Sequence, residues 1–280
     1  MLIFKPWTDK YGLITKDKHW GHDGGDTAQR IGMYYTGLHL RGLRKGHHAV
    51  DFRKALTSIS RSDGRFRRHP DESRWYSDWD RMSRDQMTPL IIAMGYFREY
   101  GNIHGLLRKV LVLWLKRFTF MYNTKWNGAT KENHGKEKFP GLKDSPKYNY
   151  DDRTPDPAPM FATLFIRAFR AWYLYPILLI LDIELILGAL FDFNLEYINR
   201  TGDDINFVVR LLQAKETYPT PFSYLARRIY AKRPHLKKFH PDFKFDTECA
   251  ALSTMEYYCR PIKGDPPLHK LFGPLIEEAF

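Results

Sequence analysis

Cysteine is scarce in this chain. Its 280 residues include two cysteines, Cys249 and Cys259, ten positions apart. Two thiols are too few for a disulfide scaffold or for a cysteine-based zinc site. On one helix they would lie about 15 Å apart along the axis, which is too far for a disulfide. The cysteines therefore give no sign of an oxidising compartment.

Several other signals are also missing. The residues from Met1 to Trp7 lack a charged segment followed by a long apolar one, so the sequence predicts no signal peptide and a cytoplasmic location. Strand-like alternation is scarce and no strict repeat occurs. Basic clusters at 65–69 and 227–238 match no nucleic-acid module, so we interpret them as solvated surface and favour nucleic acid less as a partner.

The composition predicts one large helical core. With 43% hydrophobic and 15% aromatic residues, the chain can form a single domain spanning 1–280. The 44 Lys and Arg exceed the 32 Asp and Glu by 12, which favours anionic partners such as acidic polysaccharide, phospholipid or nucleic acid. Charge alone does not choose among them, and the oligomeric state is not indicated.

Helical periodicity dominates the chain. Helices are predicted from Thr27, from Arg84 to about Tyr100, from Asn102 to Phe120, from Pro159 to about Phe191 with a break before Pro176, from Asp203, from Pro221, before Cys259 and over 268–279. Asp26 and Ser83 stand where N-caps are expected. Residues 123–158 are predicted to form a long functional or mobile loop.

The order of these segments suggests an architecture. A polar acidic turn, an apolar helix and a second helix recur, with turns at Asp23, Asp78, Asp151, Asp203 and Asp246. The pattern predicts an all-α fold of helical hairpins, an (α/α) toroid or barrel. In it the inner helices run parallel and the long polar loops gather at one rim. A generic orthogonal bundle is the alternative.

An apolar run covers residues 172–193 and is long enough to cross a bilayer of about 30 Å. Asp182 and Glu184 oppose insertion, because each carboxylate near the bilayer centre costs on the order of 3 kcal/mol. We therefore favour a fully buried core helix over a membrane-seated one. Arg167 and Arg170, just upstream, could pair with these acids or anchor the chain at a membrane.

The first polar turn carries candidate chemistry. Asp23 or Asp26 could act as a general acid or base, with His22 tuning its proton affinity. Asp26 is equally well explained as a helix cap. His19 and His22 with the two aspartates have the elements of a metal site, but their spacing matches no standard pattern. We therefore predict no metal and no cofactor.

The second polar turn leads into an apolar helix through Arg84, Asp85 and Gln86. Asp85 gains from the helix dipole, and Arg84 could pair with a carboxylate of the first turn or of a substrate. A salt bridge between neighbouring hairpins would use the same residues. In the first helix Arg30, Tyr34 and Tyr35 could point inward, with tyrosine as a proton donor, or belong to the core.

Four tryptophans, Trp20, Trp75, Trp79 and Trp126, lie in or beside the polar turns. Indole stacks on the flat face of a sugar ring, and neighbouring groups such as Arg30 and Gln86 could then bind hydroxyls. Stacking on nucleic-acid bases would use the same residues. Closing the ends of a barrel is the structural alternative.

Two of these segments resemble motifs of known proteins. Asp-Gly-Gly-Asp-Thr-Ala-Gln-Arg at 23–30 and Ser-Arg-Asp-Gln at 83–86 each open an apolar helix. In style they resemble the rim motifs of the (α/α) toroid glycan-active enzymes, the six-hairpin glycosidases and polysaccharide lyases, across about residues 19–260. The resemblance implies that Asp23, Asp26, Arg84 and Asp85 line a saccharide cleft.

Residues 26–28 also resemble the acidic motif of class II terpene cyclases, Asp-x-Asp-Asp-Thr-Ala. Here Gly25 replaces the middle acid and the chain is short. This departure makes the cyclase interpretation the weaker one.

The hypothesis is a glycan-processing enzyme acting on a polysaccharide or oligosaccharide. Hydrolysis would use Asp23 and Asp85 as an acid/base pair about 5 to 10 Å apart, positioned by Asp26 and Arg84. A lyase would use Tyr34, Tyr35 or His22 as base beside Arg84. The alternatives are a noncatalytic binding module of a larger assembly, which holds a polyanion or partner protein, and a membrane-associated enzyme seated by residues 172–193.

Overall fold

The computed structural model describes residues 7–15, 27–40, 42, 46–62, 64–67, 69–70, 82, 84–118, 120, 158–191 and 201–230. These residues are mostly helical, which confirms the all-α prediction. The helices are α1 (Thr27–Leu40), α2 (Gly46–Ile59), α3 (Arg84–Tyr96), α4 (Ile103–Arg117), α5 (Ala158–Ala168), α6 (Tyr175–Leu181), α7 (Ile183–Phe191), α8 (Thr201–Glu216) and α9 (Pro221–Tyr230). A 3₁₀ turn, Trp172–Leu174, precedes α6.

The connection between α3 and α4 is longer than the periodicity suggests. Helix α3 ends at Tyr96, not near Tyr100, and the chain turns through Gly101 in the left-handed region at φ +56°. Asn102 precedes α4 but makes no side-chain cap hydrogen bond. Phe118 at φ 53° then ends α4, and its N–H donates to the Trp114 carbonyl.

Helices α1 and α3 lie side by side and run parallel. A Cβ added at Gly32 would lie 2.5 Å from the Leu90 nitrogen and from the Pro89 carbonyl carbon, so the two backbones touch. Seven residues on, His39 stacks on Tyr96 with ring centroids 3.6 Å apart. Both pairings, 32 with 89 and 39 with 96, share an offset of 57 residues, so the register is constant over two turns.

Helices α5 and α8 continue this layer. A Cβ at Gly95 would lie 2.7 Å from the Ala168 Cα, where α3 meets α5. The Gln213 amide donates to the Leu164 carbonyl at 3.3 Å, and farther along Arg167 Nε donates to the Thr217 carbonyl at 3.0 Å. Since both contacts advance together along the chain, α5 and α8 are parallel.

The intervening helices return in the opposite direction. Phe52 of α2 packs on Tyr35 with ring centroids 4.5 Å apart. The ring of Trp114 in α4 lies 6.0 Å from that of Phe161 near the start of α5, and the ring of His104 lies 5.6 Å from that of Phe169 just after its end. Helices α7 and α9 run antiparallel to α8. The described helices thus alternate between a parallel layer and a returning layer.

Helix α3 is the centre of the parallel layer. It contacts α1, α5 and α8, and every residue from Gln86 to Phe97 is buried. Around it lies one apolar core, whose largest fully buried side chains include Phe52, Phe97, Phe120 and Phe161. The returning helices keep exposed faces.

A short hairpin, β1 (Trp7–Thr8) and β2 (Ile14–Thr15), contacts α1. Asp9 organises its turn, because one carboxylate oxygen accepts the N–H groups of Tyr11 and Leu13 at 2.9 Å each. The other oxygen lies 2.8 Å from Nε2 of buried His69. The hairpin is thereby fixed to the chain after α2.

The apolar run at 172–193 departs from the prediction of a fully buried core helix. The stretch Trp172–Leu190 has a mean hydropathy of 1.9 and is long enough to cross a membrane, but 22% of it is buried. It breaks at Asp182, between α6 and α7. Seven large side chains are exposed, and we call them the apolar stripe: Trp172, Tyr173, Ile177, Ile180, Ile183, Leu187 and Leu190.

The reason for this departure is the orientation of the two acids. Asp182 and Glu184 point toward the protein, where they pair with Arg167 and Arg210. Once these two positions face inward, helical periodicity turns the apolar residues on the opposite face outward. The buried-helix prediction is therefore wrong for this segment.

Candidate functional site

The candidate site is the end of the parallel layer where α1 and α3 begin. The offset of 57 residues sets Ala28 level with Asp85 and Gln29 level with Gln86. Packed helices have axes about 8 to 10 Å apart, and the contact at Gly32 favours the lower end of that range. The first turns of the two motif-bearing helices are therefore neighbours.

Several buried polar side chains lie at this end. Gln29 is 2% exposed, Arg30 3% and Gln86 1%, and Thr27 and Thr88 are also buried. Burying polar groups costs free energy unless they are hydrogen-bonded, so a cluster of this kind needs a structural or functional reason.

Asn206 of α8 belongs to the same level. Gln213 of α8 lies 49 residues after its contact Leu164 in α5, and Ala168 of α5 lies 73 residues after its contact Gly95 in α3. Applied in turn, these two offsets place Asn206 level with Arg84. Helix α8 contacts α3 directly, and Asn206 is 7% exposed. Three of the parallel helices therefore bring buried amides to one end: Gln29, Gln86 and Asn206.

Two of these amides have atoms without partners in the described part of the chain. They are Nε2 of Gln29 and both Oδ1 and Nδ2 of Asn206. A buried unsatisfied amide costs about 1 to 3 kcal/mol. Such atoms need an explanation, and a bound water, an ion or a ligand can each supply the missing hydrogen bonds.

The electrostatics of this end favour anions. Each helix N-terminus carries about half a positive charge, and parallel packing brings these charges together. The Arg30 guanidinium adds a full positive charge within the first turn of α1. Carboxylates, whether from the protein or from a substrate, are stabilised in such a field.

The two tyrosines of α1 have different environments. Tyr35 is packed in the core against Phe52 and Phe97, whose ring centroids lie 4.5 and 5.9 Å away. Burial, and then the charge of Asp51, raise the pKa of Tyr35 well above its ordinary value. Tyr35 is thus unsuited to be a base and belongs to the core, whereas half-buried Tyr34 packs edge-on against it.

The remaining predicted site residues are described to different extents. The backbone of α3 places Arg84 and Asp85 in its first turn. Arg30, Tyr34 and Gln86 are described with their side chains. Seven others lie outside the described residues: Trp20, His22, Asp23, Asp26, Trp75, Trp79 and Trp126. The structure therefore brings together Arg30, Gln86 and the Arg84–Asp85 turn.

Two site residues escaped the sequence analysis. Gln29 stands inside the Asp-Gly-Gly-Asp-Thr-Ala-Gln-Arg motif, and this position could have indicated that it belongs to the site. Asn206 lies in the middle of α8 and has no motif around it. Its place in the site depends on how α8 packs against α3, which the sequence does not display.

Metal ligands are not clustered in this part of the protein. Among the residues that the structure describes, no group of three or more His, Cys, Asp or Glu could hold a metal ion. The histidines and aspartates of the first polar turn are outside that set.

A second charged cluster extends from Arg210, one turn after Asn206 on α8, to Arg167 at the opposite end of the parallel layer. Arg167 pairs with Asp182, which also accepts a hydrogen bond from the Thr220 hydroxyl at 2.5 Å. Nearby Arg210 pairs with Glu184, and burial together with the charge of Arg167 lowers the pKa of Arg210 to about 9. Because its charges are paired internally, this cluster is a structural joint.

Comparison with known proteins adds no assignment. The chain matches no family model, no curated protein and no solved structure.

Proposed function

We propose that the protein is a glycan-processing enzyme that cleaves glycosidic bonds by carboxylate acid/base chemistry at the start of α1 and α3. The observation that carries this proposal is the parallel register, in which the turn containing Asp85 neighbours the turn that follows Asp26. The described parts of the two motifs, residues 27–30 and 84–86, are thus neighbours.

The usual spacing of packed helices is compatible with a pair of carboxylates. Glycoside hydrolysis needs two carboxyl groups about 5 to 10 Å apart. The axes of neighbouring helices are separated by a similar distance, about 8 to 10 Å. Asp23 stands four residues before Thr27, which limits its Cα to within about 14 Å of the start of α1. In the proposal Asp23 and Asp85 are the acid/base pair, positioned by Asp26 and Arg84.

The charges favour an acidic glycan. Helix N-termini and Arg30 make this end cationic, and the whole chain carries a net charge of +12. A uronate carboxylate would be stabilised there and would accept hydrogen bonds from Gln29 Nε2 and Asn206 Nδ2. On such a substrate, elimination with Tyr34 or His22 as base beside Arg84 is the alternative to hydrolysis.

The helix arrangement is consistent with the proposed fold. Parallel helices α1, α3, α5 and α8 alternate with returning helices, as in the hairpins of an (α/α) toroid. We propose that the hairpins predicted after α9 continue this layer into a ring. The polar turns, including 123–158 and the four tryptophans, would then form the rim that binds sugar.

Product analysis on a glycan panel tests the proposal. Full-length protein is incubated with neutral and uronate-containing oligosaccharides, and products are separated by mass spectrometry. Hydrolysis adds one water to each cleaved bond, whereas elimination yields an unsaturated product without added water. We expect cleavage of uronate-containing chains by one of these routes. Binding of the chains without any cleavage would instead favour a noncatalytic module.

A further inference from the structure

No element that the structure describes covers the apolar stripe. Exposed fractions run from 38% at Leu187 to 71% at Trp172 along about 28 Å of helix. On the neighbouring α9, Tyr224 and Leu225 are 52% and 47% exposed. Soluble monomers rarely expose a contiguous apolar patch of more than a few hundred Å², so this surface is built to contact something apolar.

The two acids within the described part of the stripe are paired inside the protein. Segments 170–191 and 221–230 contain two acids, Asp182 and Glu184. Asp182 is 0% exposed in its pair with Arg167, and Glu184 pairs with Arg210. Neither carboxylate of these two segments is therefore free on the outward face.

Exposed cations and aromatic rings lie at one end of the stripe and on the neighbouring α9. Trp172 and Tyr173, 71% and 66% exposed, stand at one end next to exposed Arg170. Exposed Arg228 lies on α9, where its guanidinium donates to the Tyr224 hydroxyl at 3.0 Å. Indole, phenol and guanidinium groups around an apolar face match the boundary between lipid headgroups and acyl chains.

We propose that the apolar stripe seats the protein on an anionic lipid surface, with α6 and α7 lying in the interface plane. Apolar side chains enter the acyl boundary, and Arg170 and Arg228 contact lipid phosphates. The run does not cross the bilayer, because crossing would pull Asp182 out of its buried pair with Arg167 and leave both charges uncompensated.

Vesicle co-sedimentation of the full-length protein tests this proposal. Vesicles of phosphatidylcholine alone are compared with vesicles that also contain phosphatidylserine. The key variants are Ile180→Ser and Leu190→Ser, at positions 69% and 51% exposed. Leu115→Ser is the matched control, since Leu115 is 52% exposed on α4, away from the stripe. Circular dichroism confirms that all variants are folded.

The expected result is binding to the phosphatidylserine vesicles that weakens with salt. Each stripe substitution should lower the partition coefficient by about tenfold, and Leu115→Ser should leave it unchanged. The proposal is wrong if the wild type fails to bind, or if Leu115→Ser weakens binding as much as Leu190→Ser does. It is also wrong if sedimentation velocity reveals a dimer that Ile180→Ser dissociates, since the stripe would then cover a second copy.

Discussion

Arg167 and Asp182 form a buried bidentate ion pair, with Nη1 2.9 Å from Oδ1 and Nη2 2.5 Å from Oδ2. The pair joins the end of α5 to the break between α6 and α7. Arg167 also donates to the Thr217 carbonyl, so a single guanidinium connects three segments. This joint fixes which face of the apolar run points outward.

Removing one partner of this pair should destabilise the protein strongly. Asp182→Ala leaves the Arg167 guanidinium buried without its counter-charge, and we expect a loss of about 3 to 5 kcal/mol in the free energy of unfolding. Urea denaturation measures it. The double variant Arg167→Met with Asp182→Leu should recover most of the loss, because no charge is then stranded. A double variant as unstable as Asp182→Ala would argue against this explanation.

The contact between α1 and α3 predicts a contrast between two glycines. Gly32→Ala would place a Cβ 2.5 Å from backbone atoms of Pro89 and Leu90, so the helices must separate and the melting temperature should fall. Gly46→Ala, in a helix with nothing within 4 Å, should be neutral or stabilising by about 0.5 to 1 kcal/mol. Equal melting temperatures for the two variants would show that the close approach is absent.

Tyr35 predicts a loss of stability in alkali. Its pKa is raised by burial, so above pH 10 the unfolded chain releases a proton that the folded protein retains. The folded state then binds more protons, and stability falls with rising pH by up to about 1.4 kcal/mol per pH unit. Urea midpoints between pH 8 and 11 should show this slope in the wild type, reduced in Tyr35→Phe. Identical slopes would refute the assignment.

The unpartnered amide of Asn206 predicts opposite effects on stability and function. Asn206→Leu removes buried polar atoms without partners, and we expect the free energy of unfolding to rise by about 1 kcal/mol. If these atoms bind substrate, the same variant should weaken glycan binding, measured by calorimetry. A variant that is more stable and binds glycan normally would assign Asn206 no part in the site.

The sequence predicted most helix positions well. The starts of α1, α3 and α9 at Thr27, Arg84 and Pro221 agree with the starts predicted from the sequence, whereas the predicted caps Asp26 and Ser83 lie outside the described residues. Helix α2 received no predicted bounds. Its apolar side chains from Ala49 to Ile59 do repeat with helical spacing, but they are interleaved with charged and polar residues.

Tertiary relationships were harder to predict. Parallel packing of α1 and α3 depends on Gly32 meeting Pro89, a contact between positions 57 residues apart with no shared motif. The orientation of the apolar run was mispredicted because a segment that is apolar on every side has no amphipathic pattern to indicate which face is buried. Its orientation is set by Arg167 and Arg210, which lie outside the run.

The most direct test of carboxylate catalysis by Asp85 is the rate at which Asp85→Asn cleaves glycans. Asp85→Asn and Asp23→Asn are compared with Glu99→Gln, an exposed acid beyond the far end of α3. If the two aspartates are the acid/base pair, kcat should fall by about 10²- to 10⁴-fold in both aspartate variants and stay unchanged in the control. Cleavage by Asp85→Asn within twofold of the wild-type rate would contradict it.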